Sequence, residues 1–336
     1  MGQGLWHHGW EAQERGNEKL ANENFAAAEK ALSRAKQLGV NSGNYLSTLG
    51  ILYFTRGNYI EAAATFQEAT RIDPSSALFF YWLGRSKLQI GGQESLKEAR
   101  NAMERAVELK PDDSDSHYWH GVLFVKLQQY TAAMTELQRS IELDSKNLKA
   151  YKYLTLATMM VPKANRADRR EQVSTYERAL KHASDGIAIA KLQKDAHAAS
   201  EIEKLQHALW NTLAFTYADL GEYLQLAETY IDRALSADPN NPNYFDTKAW
   251  ILMRSSEVST TLSNEQREDK LRQAEDLLDK ALNSLPQDDT NRRADVIYHL
   301  GYVERLHGRN EAARSRFLEA LELNPEYQNA KEAINR

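Results

Sequence analysis

A chain of 336 residues with a formal net charge of −5 exceeds the size at which one compact core keeps growing, so it must form two or three domains or an array of units packed on their neighbours. Alanine, leucine, glutamate, lysine, arginine and glutamine dominate, prolines number seven, and no stretch alternates apolar and polar residues long enough for a sheet. Interspersed charges argue against a nucleic-acid surface, which needs a basic excess on one face, and the lack of cysteine excludes disulfides, thiolate zinc sites and cysteine nucleophiles.

In chain order, the stretch from Met1 to Trp10 has neither the basic start nor the apolar run of a signal peptide. Residues 1–8 read as an N-terminal segment, or as a scar where a leader or lipid anchor was removed. The compartment stays open, cytoplasmic or, with a leader removed, periplasmic. No apolar run reaches the roughly 18–20 residues that span a bilayer.

From there a small residue recurs in equivalent helical contexts, at Gly16, Gly50, Gly84, Gly121, Thr155, Ala214, Ala249 and Gly301; three of the first four intervals are 34 residues. Behind it comes a second pattern: Ala28, Ala62, Ala99, Ala133, Ala227, Ala274 and Ala313. Each is followed at the fourth position by Leu32, Phe66, Met103, Leu137, Ile231, Leu278 or Phe317, and at the seventh by Ala35, Ala69, Ala106, Ser140, Ala234, Ala281 or Ala320. Five of the seven prolines (Pro74, Pro111, Pro239, Pro286 and Pro325) fall where a unit should end, because proline cannot continue a helix. Gly57, Gly221 and Gly308 stand between the two helices of a unit, where a left-handed cap is expected.

These residues resemble the tetratricopeptide-repeat family, whose units are antiparallel pairs of an A and a B helix. The resemblance implies an all-α, right-handed superhelical solenoid of about eight helix pairs with a C-terminal capping helix. Units one to four span 9–147, an irregular fifth unit with a long insertion spans 148–206, units six to eight span 207–327, and a capping helix covers 328–336. The seventh unit is expected to carry an inserted loop at about 254–270, where Ser, Thr, Glu and Asn accumulate. In the fifth, Met159, Met160, Val161 and Pro162 interrupt the A helix before a long helical stretch, which reads as a lengthened pair or as a docking element.

The family binds ligands on the concave surface lined by A helices. Carried over residue by residue, that surface holds Phe54, Tyr81, Arg85, Tyr118, Val122, Lys126, Lys149, Lys152, Phe215, Trp250, Tyr302 and Arg305. Aromatic side chains anchor peptides because they bury much area with little rotamer loss. Cations cluster on units three to five, whereas Asp219, Asp246 and Asp295 lie further on; an acidic or C-terminal end of a protein segment is expected toward units three to five. The carboxylate clamp of chaperone-tail binders is not reproduced: Asn17 fits, but Gln13, Thr48, Leu78 and Trp82 hold the other positions.

His117 and His120 form a one-turn pair that could ligate metal, yet both fall on core positions of the repeat. No nucleotide-binding or hydrolase motif is present, and neither catalytic residue, cofactor nor metal is expected. The expected role is a non-catalytic scaffold or adaptor for a protein or peptide ligand, with no nucleic acid and no transmembrane segment. The alternatives are a self-associating scaffold, with Trp6 and Trp10 or the fifth-unit insertion docking on a second copy, and the repeat arm of a larger enzyme complex.

Overall fold

The computed structural model describes residues 7–8, 11, 15, 17–40, 42–161 and 169–335. Gly16, Trp6, Trp10, Gln13 and Pro162 lie outside the described residues. Among the described residues the regular structure is α-helical throughout. The chain divides into two compact units, Met1–Ala157 and Thr158–Arg336.

In the N-terminal unit, α1 (Glu18–Gln37) precedes three helix pairs: α2 (Gly43–Thr55) with α3 (Tyr59–Ile72), α4 (Ala77–Ile90) with α5 (Gln93–Leu109), and α6 (Ser114–Lys126) with α7 (Tyr130–Leu143). Helix α8 (Leu148–Met159) follows and carries the division between Ala157 and Thr158 in its last turn. The sequence repeat explains the packing. On α3, α5 and α7, spacings of four and three residues bring Ala62, Phe66 and Ala69, then Ala99, Met103 and Ala106, then Ala133, Leu137 and Ser140 onto one face, and all nine are fully buried. Opposite each large residue sits a glycine of the partner helix. A methyl group built on Gly50 would lie 2.7 Å from the Phe66 ring, on Gly84 2.8 Å from Met103, and on Gly121 2.5 Å from Leu137. The small residue therefore lets the two helices approach until the ring or branched chain closes the gap.

Turns between the paired helices also follow from side-chain chemistry. Gly57 takes φ +78°, and its N–H and that of Asn58 close the end of α2 on Phe54 and Tyr53 carbonyls. At the same turn after α6, Gln128 takes φ 59° without being glycine, at a cost of about 1 kcal/mol.

In the C-terminal unit, α9 (Arg169–Gln193) and α10 (Ala196–Leu220) are each 25 residues long. They are joined through Lys194 and Asp195, and Asp195 caps α10 by accepting from the Ala198 N–H. Helix α10 packs on α9 and also on α11 (Leu224–Ala237). Next come α12 (Pro242–Val258) with α13 (Asn264–Ser284), α14 (Thr290–Leu306) with α15 (Asn310–Leu323), and α16 (Gln328–Ile334), which packs on α15 and buries Ala330. The crossing rule repeats here: a methyl on Gly301 would lie 2.7 Å from the Phe317 ring.

Two expected boundaries are corrected. The break at 206–207 falls inside α10, because nothing between Glu201 and Leu220 is a glycine or proline and the helix runs on. The loop expected at 254–270 shrinks to residues 259–263, since α12 continues to Val258 and α13 begins at Asn264. Met253, Ser255 and Ser256 are buried, which holds the end of α12 in place. Ser263 and Gln266 form a reciprocal capping box (2.8 and 3.2 Å) that starts α13, and Arg267 reaches back to the Ser256 and Ser259 carbonyls. Ser263→Ala is expected to cost about 1 kcal/mol in urea unfolding; an unchanged midpoint would remove the cap from this account.

Candidate functional site

Within the N-terminal unit, the A-type helices α2, α4 and α6 bring four rings around one guanidinium. The Arg85 Cζ lies 4.3 Å from the Trp119 ring centroid, 4.5 Å from Trp82, 4.8 Å from Phe54 and 5.4 Å from Tyr81. Tyr81 and Arg85 are one turn apart on α4, so they share a face, and an Arg85 Nη donates to the Tyr81 hydroxyl at 3.1 Å. The rings brace one another: Phe54 packs on Trp82 at 5.1 Å and Tyr118 on Tyr153 of α8 at 5.7 Å. Arg85 Nε is buried without an acceptor. Among the described residues no carboxylate lies within ion-pairing distance of Arg85.

The other expected groove residues of this unit range from buried to exposed. Tyr118 and Val122 are buried in the packing of α6, and burial pushes the Tyr118 hydroxyl pKa well above its ordinary range. Lys126 is exposed and donates to the Leu88 carbonyl of α4 at 3.4 Å. On α8, Lys149 is exposed and Lys152 is half-buried. The groove positions implied by the family resemblance include Phe54, Tyr81 and Arg85 but not Trp82 and Trp119. Their signal was adjacency: each follows a tyrosine on its helix, and an indole is long enough to reach round to the next face.

In the C-terminal unit, Phe215 of α10, Trp250 of α12 and Tyr302 of α14 form a continuous row. Phe215 stacks on Trp250 at 6.4 Å, and Trp250 meets Tyr302 at 5.2 Å and His299 at 4.9 Å. Arg305 places its guanidinium 4.6 Å from the Tyr302 ring. Tyr302 donates to the Glu257 carboxylate at 3.0 Å, and Arg254 Nε donates to the Ala218 carbonyl at 3.2 Å. Two adjoining cavities open over the row. One, of 460 Å³, runs past Asn211, Phe215, Asp246, Asp295 and His299; the other, of 360 Å³, runs past Trp250, Arg254, Tyr302 and Arg305. Arg169, Asp219 and Asn329 line both.

His299 is not among the groove positions implied by the family resemblance. Its Nδ1 lies 2.7 Å from Asp246 Oδ1. Burial alone would lower its pKa, but the Asp246 charge and hydrogen bond outweigh that and hold it above the usual histidine value. Two polar atoms here have no partner: the Nε1–H of Trp250, a residue only 7% exposed, and Asn211 Oδ1.

His117 and His120 both turn into the core beside Glu136, at 2.7 and 3.5 Å from its Oε2. Among the described residues no cluster of three or more His, Asp or Glu side chains is arranged to hold a metal ion. No helix among them is long and apolar enough to cross a membrane.

Family models described as TPR repeat or tetratricopeptide repeat match residues 50–91, 91–147 and 207–241. No curated protein matches the sequence. Among solved structures, the C-terminal part of a TPR repeat-containing protein from Cytophaga hutchinsonii aligns with 86% of this chain and 99% of its own, at 13% identity and a TM-score of 0.50. YrrB, titled a TPR protein with an unusual peptide-binding site, aligns with 64% of this chain and 95% of its own, at 20% identity and a TM-score of 0.46. The first TPR of Spaghetti, solved with an HSP90 peptide, aligns with 35% of this chain and 90% of its own, at 20% identity and a TM-score of 0.33. At 13% identity the likeness to the Cytophaga hutchinsonii protein is one of fold.

Proposed function

The chain is a tetratricopeptide-repeat protein, and from that premise we propose that it works as a non-catalytic protein-interaction scaffold holding an acidic segment of a partner against Arg85. The observation that carries this reading is the guanidinium among four rings, with a buried Nε that has no acceptor. Ring faces offset the charge of an arginine but accept none of its edge hydrogen bonds, and the Tyr81 hydroxyl takes only one. A carboxylate meets the remaining edge in the bidentate geometry that arginine favours. Lys126 and Lys149, both exposed, add positive charge on the helices that follow and favour the same sign of ligand.

Arg85 is also the better probe of the site than Tyr118, whose burial would make its removal a packing change. The test is a pull-down with the intact chain and with Arg85→Ala, followed by fluorescence anisotropy of an acidic peptide from the recovered partner. Loss of one charge-assisted contact is expected to weaken binding by about tenfold or more. Arg85→Lys should recover little, because an ammonium lacks the planar fork. Equal affinity for all three chains would sink the proposal. Recovery of the chain alone would point to self-association.

A further inference from the structure

Helix α16 does more than pack on α15, because it also bounds the groove of the C-terminal unit. The 360 Å³ cavity is lined by Trp250, Tyr302 and Arg305 of α12 and α14 and by Asn329, Glu332 and Ala333 of α16. Asn329 also lines the 460 Å³ cavity, as does Tyr327, the residue just before α16. Arg169, in the first turn of α9, lines both. The first turn of α9 and the whole of α16 therefore border one opening.

Little holds α16 in that place. It has seven residues, and an isolated helix shorter than about 12–15 residues is marginal in water, so α16 depends on what lies beneath it. Its inner face is mostly small: Ala330 is buried, and Ala333 and Ile334 pack on a cluster of Ala294, Ile297, Ala313 and Phe317. The side chains of Gln328, Lys331 and Asn335 bond to Glu332, Glu326 and the Lys331 carbonyl, all within the segment. The large anchor is Tyr327. Its ring meets Tyr298 of α14 edge-on at 5.3 Å, and its hydroxyl donates to Asp295; burial, with the Asp295 charge and hydrogen bond, holds its pKa above the ordinary range. Beneath it, α14 and α15 are locked by Phe317 against Gly301 and bury Val296, Ile297, Leu300 and Val303. An element with few buried contacts opens before the elements it rests on.

We propose that α16 is a strap: latched by Tyr327 on Asp295, it narrows the groove over Trp250 and Arg305, and it swings away while α14 and α15 stay folded. Its release controls access to this groove. The strap is a segment of the chain itself and is independent of the site around Arg85.

The experiment takes two readouts on the full chain: hydrogen exchange by mass spectrometry for the helices, and labelling of Arg305 by phenylglyoxal, a guanidine reagent. In the unaltered chain, α16 amides are expected to exchange about tenfold faster than those of α14 and α15. Tyr327→Phe keeps the ring and removes the latching hydrogen bond, whereas Ala330→Gly removes the buried methyl and weakens the helix. Each should speed α16 exchange and Arg305 labelling together, by about five- to tenfold. Exchange in α14 and α15, and labelling of Arg85 in the N-terminal unit, should not change. Equal exchange in α16 and α15 of the unaltered chain overturns the proposal without any variant. So does faster α16 exchange with unchanged Arg305 labelling, since the helix then frays without guarding the groove. Acceleration of α14 alongside α16 also overturns it, by showing that the pair unfolds rather than a strap releasing, and unchanged α16 exchange in both variants denies Tyr327 the latch.

Discussion

Gly121→Val is expected to lower the free energy of unfolding by about 2–3 kcal/mol, seen as a lower urea midpoint with little change in slope. A Cβ at this position would lie 2.5 Å from Leu137 Cγ, 2.9 Å from its Cδ2 and 3.3 Å from the Ala133 carbonyl oxygen. Leu137 is fully buried, so its branched end has nowhere to retreat, and the backbone oxygen cannot move without loosening α7. The sign is diagnostic. An ordinary glycine in a helix interior becomes more stable by about 0.5–1 kcal/mol when replaced by alanine, whereas Gly121→Ala should destabilise. Leu137→Ala alone should cost about 3 kcal/mol through the cavity it leaves. Combined with Gly121→Ala it should cost less than the two together, because the new methyl enters that cavity. Additive costs, or a stabilising Gly121→Ala, would show that the crossing is not as close as described.

The second large effect lies at Glu136. Its carboxylate sits 2.7 Å from His117 Nδ1, while His117 Nε2 meets the Pro111 carbonyl at 3.1 Å. His120 Nδ1 lies 3.5 Å from the same Glu136 oxygen, too far for a well-formed hydrogen bond. Burial would raise the Glu136 pKa, yet the hydrogen bond and charges of the two histidines bring it down to about 2. His117 moves the other way, raised chiefly by its hydrogen bond to Glu136. Both ends of the pH profile follow. The Glu136 contribution is present above its unfolded pKa, about 4.3, and is lost as pH falls toward 2. The His117 contribution is fully present below its unfolded pKa, about 6.5, and is lost as pH rises through its raised folded value. The pair therefore stabilises most between about pH 4.5 and 6.5. Glu136→Ala should cost about 3 kcal/mol at pH 6, since it leaves two buried imidazoles without their anion, and Glu136→Gln should flatten the profile on both sides. Urea unfolding from pH 3 to 9 checks this; an unchanged pH dependence in Glu136→Gln would assign the pair no role in stability.

Much of the helix packing was legible because close-packed pairs need a small residue facing a large one at a fixed spacing. Gly50 with Phe66, Gly84 with Met103, Gly121 with Leu137 and Gly301 with Phe317 could all be matched from the repeat alone. Boundaries set by single caps were harder. Ser263 and Gln266 sit in a stretch whose composition suggests a loop, and only their reciprocal bonding shows that a helix starts there. For the candidate sites, the family resemblance places Phe54, Tyr81 and Arg85 on one surface, and likewise Phe215, Trp250 and Tyr302. It cannot show how far neighbours cover each residue, as with Tyr118 and Val122, which are as buried as Trp250 and Tyr302, because a face defined by 3.6 residues per turn says nothing of how the helix is rolled against its neighbours. His299 was invisible for a similar reason: its partner Asp246 is 53 residues away.

The length of α10 has a consequence for cooperativity. One uninterrupted helix packs on both α9 and α11, so neither contact can be released without exposing backbone that the other relies on. Repeat arrays otherwise open pair by pair, because each unit touches only its neighbours. Here the amide hydrogens of α9, α10 and α11 are expected to open together, so that hydrogen exchange along the three helices would follow a common rate rather than a gradient from one repeat to the next.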